Sequence, residues 1–177
     1  MQILRLPFLA TLVALALLAV VAAHGASAAT KNASLPDADV IKAIRHYRTT
    51  TYTLQSVMGR RVRYARLRDV TPVHARTIWR HRAVATRRLF LHGPAHKNAW
   101  LCIHRYEGAW TDGGSPYYGG LQMDIGFQSS YGGVLLDTKG TANNWTPLEQ
   151  MWVAERAYRS GRGFYPWPNT ARYCGLI

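Results

Sequence analysis

Arg105-Tyr106-Glu107-Gly108-Ala109-Trp110 is followed a few residues later by Tyr117-Tyr118-Gly119-Gly120-Leu121-Gln122-Met123. The first stretch ends a helix. Pro94 to Tyr106 predicts helical spacing, with Trp100, Ile103 or His104, and Glu107 on one face, and Gly108 stops it. Glu107 is thus a lone carboxylate at a helix end, facing a Gly- and aromatic-rich segment of the kind that lines a sugar-binding cleft. A carboxylic acid so placed is the usual device for protonating a glycosidic oxygen. On the same helix Cys102 lies about 140° from Glu107 at 100° per residue. Its thiol points away from the cleft, toward a structural bridge rather than catalysis.

Working outward, Asp112 to Pro116 is turn chemistry, and Tyr131-Gly132-Gly133 and Gly140 to Trp145 read as loops. Thr146-Pro147-Leu148-Glu149 has the form of a capping box opening a helix that stops near Gly161. The tail Phe164-Tyr165-Pro166-Trp167-Pro168 carries too much proline for helix. Upstream, Pro36-Asp37 opens a helical stripe of Ile41, Ile44, Tyr47, Thr51, Leu54 and Met58. A second helix has Thr71 as N-cap, Pro72 at its first position and Gly93-Pro94 as its stop. Two such helices with a basic connection predict a helical hairpin.

The N-terminus predicts an address. Arg5, the apolar run Phe8 to Ala23 and Ala26-Ser27-Ala28 form a signal-peptide pattern with cleavage after Ala28 or Ala29. The run is too short for the roughly 20 apolar residues of a spanning helix. The reading of the chain is therefore residues 1–29 as signal peptide, 30–93 as a basic helical region, and 94–177 as the domain carrying Glu107. The chain has two cysteines, Cys102 and Cys174. Expected export makes their pairing the default.

Charge divides the chain at the same place. Residues 30–99 hold 15 Lys and Arg against three Asp and Glu, whereas residues 100–177 hold six of each. The basic part predicts attraction to an anionic wall polymer or an acidic lipid surface; export argues against nucleic acid as its partner. His92 and His96 are the one His pair at metal-like spacing, and Gly93-Pro94 interrupts it. Neither a metal nor another cofactor is expected.

The region from about Trp100 to Cys174 resembles the resuscitation-promoting-factor and transglycosylase-like domains of Gram-positive actinobacteria. The residues that carry the resemblance are Glu107-Gly108 with Trp110, the run Tyr117 to Met123, Tyr131-Gly132-Gly133, Thr146 to Gln150, Ala154-Glu155-Arg156, Trp167-Pro168 and a late cysteine. Those domains place their first cysteine directly before the glutamate and read Glu-Ser-Gly-Gly-Asn-Trp or similar. Here Tyr106 precedes Glu107, and the motif is the shorter Glu-Gly-Ala-Trp.

The resemblance implies a mainly α, lysozyme-like domain, preceded here by the basic hairpin, with a cleft for a β-1,4-linked glycan and Glu107 as general acid. The expected activity is that of an exported, cell-wall enzyme cleaving peptidoglycan strands, as a lytic transglycosylase or a muramidase. The competing reading is a catalytically silent wall-binding or signalling module. The candidate substrate-binding set is Gln122, Tyr117, Tyr118, Trp110, Trp145 and Asp124. Within it, Gln122 hydrogen-bonds sugar or orients Glu107. Tyr117 and Tyr118 alternate, so one packs and the other faces substrate. Trp110 and Trp145 are either core residues or stacking platforms. A hydrolase needs a second carboxylate, for which Asp112, otherwise a turn former, and Asp124, otherwise a cap, are the candidates. Glu155 reads as a structural ion-pair partner.

Overall fold

The computed structural model describes residues 37–61, 67 and 69–177; the expected signal peptide and part of the basic connection between the first two helices lie outside them. The described chain is mainly helical. Helix α1 spans Ala38–Val57 and α2 Pro72–His92; α3 spans Lys97–Glu107. A two-residue antiparallel ladder follows, β1 Tyr117–Tyr118 with β2 Met123–Asp124, pairing Tyr117 with Asp124 and Tyr118 with Met123. Then come α4 Ile125–Lys139, α5 Pro147–Ala157 and α6 Pro168–Tyr173.

The punctuation marks act as capping chemistry predicts. Asp37 caps α1 by accepting from the Asp39 backbone N–H, and Thr71 caps α2 ahead of Pro72. Thr146 and Glu149 form the reciprocal capping box of α5, and Lys139 anchors the Glu149 carboxylate at 2.7 Å. Two expectations fail. Tyr131-Gly132-Gly133 is not a loop but the middle of α4, despite its glycines. A Cβ on Gly132 would lie 2.5 Å from the Trp145 ring, so this glycine admits the indole against the helix. The proline-rich tail does contain a helix, because Pro168 occupies the first position of α6, where a missing N–H costs nothing.

The core joins both parts of the chain. Val57, Met58 and Phe90 pack in one cluster with Trp100, Ile103, Leu121, Leu135, Trp145, Val153 and Trp167. Helices α1 and α2 pack on each other, with Tyr52 edge-on to Trp79. They are tied to α5 by polar clamps: Trp152 Nε1–H donates to the Phe90 carbonyl, and Arg156 and Arg159 donate to the carbonyls of Ser56 and Met58. Burial, then the neighbouring Arg159, push the Arg156 guanidinium below its ordinary value. Its carbonyl partner at the end of α1 is what makes its burial tolerable.

Gly59 stands against this clamp. Its φ is +61°, and an added Cβ would meet Arg156 Cγ at 2.6 Å. Gly59→Ala is expected to destabilise by about 1–3 kcal/mol, from the left-handed backbone and the displaced arginine together. Urea denaturation checks this, and an unchanged midpoint would refute it.

Two buried glutamines and one glutamate do the cross-linking elsewhere. Gln150 accepts from the Gly120 N–H and donates to the carbonyls of Trp110, Ala142 and Trp145. Gln128 bridges the Met123 carbonyl and the Ala142 N–H. Glu155 is 2% exposed and takes hydrogen bonds from Trp100 Nε1 and from the His96 backbone and ring. Its expected structural role is the one it plays.

Candidate functional site

Glu107 closes α3, and Gly108 breaks the helix so that the chain can turn beneath the carboxylate. The Glu107 side chain is half-buried. Its Oε1 accepts a 2.7 Å hydrogen bond from the Thr170 hydroxyl, 63 residues away on α6. Two features bring α6 there. The Trp167 indole N–H donates to the Leu121 carbonyl at its start, and the disulfide Cys102–Cys174 closes its end onto α3. The expected pairing is thus present, and it holds the residue that holds Glu107.

Gln122 faces the glutamate from the ladder's turn. It adopts φ +46°, a conformation non-glycine residues seldom take. Its Nε2 donates to Asp112 Oδ2 at 2.8 Å and to the Gly119 carbonyl at 3.0 Å, neither bond engaging its Oε1. A Cβ on Gly108 would lie 2.9 Å from Gln122 Nε2, so the glycine after the glutamate lets the amide approach. Gly119 and Gly120 likewise give room, to Gln150 on one side and to His104 and Trp110 on the other.

Asp112 organises this turn. Oδ1 accepts from the Gly114 N–H and Oδ2 from Gln122. These two bonds, Gly114's first, hold its carboxyl below the usual Asp range. A depressed carboxylate contributes its bonds fully above the unfolded value, about 3.9, and loses them as pH falls through the folded one. Acid below that range is therefore expected to free Gln122 and the 112–122 turn before the helices melt. Amide exchange at Gly114 as a function of pH reads this, and protection unchanged down to the acid unfolding transition would refute it.

The surface between these elements is a groove with two adjoining lobes. One, about 280 Å³, is lined by Glu107, Tyr117, Gln122, Pro166, Trp167, Pro168 and Asn169. The other, about 470 Å³, shares Tyr117, Gln122, Pro166 and Trp167 and continues along Asp124, Phe127, Ser130, Tyr131 and Arg162. Of the sequence-selected residues, Glu107, Gln122, Tyr117 and Asp124 come together here. Asp124 also caps α4, its Oδ1 accepting from the Phe127 N–H at 2.6 Å.

Three others do not line the groove. Tyr118 packs half-buried on the core. Trp110 stacks on His104 with ring centres 3.9 Å apart. Trp145 is 3% exposed, its indole N–H donating to the Gly140 carbonyl. Core packing claims both tryptophans.

The groove's far wall comes from residues the sequence did not single out as site residues: Phe127, Tyr131, Arg162, Pro166 and Trp167. The run Phe164 to Pro168 was the available signal, being too aromatic for a mere linker. Bonding to Ser160, opposed by burial and aided by the nearby Arg162, holds the Tyr131 phenol below its ordinary value. Among the described residues no three His, Cys, Asp or Glu side chains group as metal ligands, and no helix is long and apolar enough to cross a membrane. Comparison with protein-family models, curated proteins and solved structures finds no match for this chain.

Proposed function

We propose that this chain is an exported peptidoglycan-cleaving enzyme, a lytic transglycosylase whose lysozyme-like domain follows a basic helical hairpin. The observation that carries the reading is the placement of Glu107: half-buried, held by Thr170, and opening on a groove walled by Tyr117 and Trp167. Sugar rings present one apolar face and a rim of hydroxyls. An aromatic wall with the Gln122 amide and the Asn169 side chain beside it suits both.

The carboxylate inventory favours lytic over hydrolytic cleavage. Asp112 has both oxygens committed to the turn, and Asp124 caps a helix. A single acid is sufficient when the glycan supplies its own nucleophile. Glu107 gives its proton to the glycosidic oxygen as the C1–O4 bond breaks. The 6-hydroxyl of the same muramyl ring then bonds to C1, and its proton returns to Glu107. The product is a 1,6-anhydro end, no water is consumed, and the enzyme's proton is restored.

The test is mass spectrometry of digested peptidoglycan. Anhydro-muramyl ends are expected. Reducing ends alone would replace the lyase by a muramidase, and undigested glycan would favour a silent binding module.

A further inference from the structure

The larger lobe of the groove is built around a charge that the cleavage reading leaves unused. Between α5 and α6 the chain makes a wide π-type turn, Tyr158–Arg162, with left-handed glycines at Gly161 (φ +100°) and Gly163 (φ +56°) on either side of Arg162. Irregular turns of this kind recur where a side chain must be re-aimed at a site. The side chain re-aimed here is Arg162. Its guanidinium carbon lies 5.7 Å from the centre of the Phe127 ring, and Tyr131 lies against the same ring at 4.9 Å. An arginine resting on an aromatic face keeps its planar fork of N–H groups available at the edge.

Arg162 is the single Lys or Arg lining either lobe, and it makes no ion pair among the described residues. The one carboxylate in the same lobe, Asp124, is turned to the α4 N-terminus by its 2.6 Å bond to Phe127 N–H. The lobe thus joins an aromatic floor, the Ser130 hydroxyl and one guanidinium that neighbours the Tyr131 hydroxyl and has no carboxylate partner among the described residues, within reach of the lobe holding Glu107 through the shared Tyr117, Gln122 and Trp167.

We infer that this lobe is a carboxylate-binding subsite, in which Arg162 grips an acid branch on the glycan whose backbone lies over Glu107. The inference rests on the glycan reading above and names the part of the glycan that is selected. Arginine with a carboxylate forms two parallel hydrogen bonds, stronger than neutral ones and specific for the planar acid. A strand bearing acidic side groups is preferred over a bare N-acetylhexosamine polymer, and its acid sets the register of the backbone.

The experiment measures binding by calorimetry on the full mature chain. The probes are glycan oligomers stripped of peptide, which carry a free lactyl carboxylate, and the same oligomers with that carboxylate converted to the methylamide. The wild-type protein is expected to prefer the acid by about tenfold, the usual worth of one charge-assisted pair. Arg162→Gln is expected to bring the ratio of the two dissociation constants close to one, and Arg162→Lys to restore part of it. A ratio near one in the wild type, or a preference that persists in Arg162→Gln, overturns the subsite. Because the readout is binding, acid preference through Arg162 on glycan that stays undigested would uphold the subsite while overturning cleavage.

Discussion

Glu107→Gln is expected to lower glycan cleavage by about 10²- to 10⁴-fold, the range general acid catalysis contributes. The substitution isolates the proton. The amide has the carboxylate's shape, and its carbonyl oxygen can still accept the hydroxyl bond that Thr170 now gives to Oε1. The core beneath it, Trp100 and Ile103 on the same helix, is untouched. Stability should therefore stay within about 0.5 kcal/mol, as for a conservative change near the surface, and glycan affinity should survive. Release of soluble fragments from purified walls is the measurement, with a thermal melt as the folding control. Turnover within a few-fold of wild type would move the chemistry to another residue, with Asp124 the next to test as the other acid in the groove.

What the sequence disclosed and what it concealed divide along a physical line. Local chemistry was readable: Thr71-Pro72, Gly93-Pro94 and the Thr146–Glu149 box each act within a few residues, so their meaning does not depend on the fold. Glu107 at a helix end belongs to the same class. The disulfide was readable for a different reason, since a chain with two cysteines has one way to pair them within itself. Long-range packing was not readable. Gly132 breaks a helix by propensity, yet the Trp145 ring lying against it makes it the residue α4 needs. Trp110 and Trp145 carry the composition of a sugar platform and go into the core, because a neighbouring ring or helix covers them. The aromatic wall of the groove comes from a tail whose path is set by the disulfide and by Trp167, some 46 residues from the carbonyl it bonds. No window of local sequence contains that information.

Removing the disulfide, by Cys102→Ser with Cys174→Ser or by reductant, is expected to cost up to about 4 kcal/mol, since the bond closes a loop of about 70 residues in the unfolded chain. It should also cost activity beyond what global unfolding explains. Helix α6 has six residues, too few to be stable by itself. Its start is fixed by the buried Trp167, and its end by Cys174 and by Tyr173 lying against Tyr106. Thr170 sits between these anchors. Loss of the second lets the helix end fray, and the Thr170 hydroxyl leaves Glu107 while the core still holds. Denaturant titration with and without reductant gives the stability term. Glycan cleavage, measured where both forms remain folded, gives the local one. In the unreduced protein, thiol titration after denaturation should find no free cysteine. If activity falls only in step with the folded fraction, then the disulfide supports the fold but not the position of Glu107, and the Thr170 contact is dispensable to catalysis.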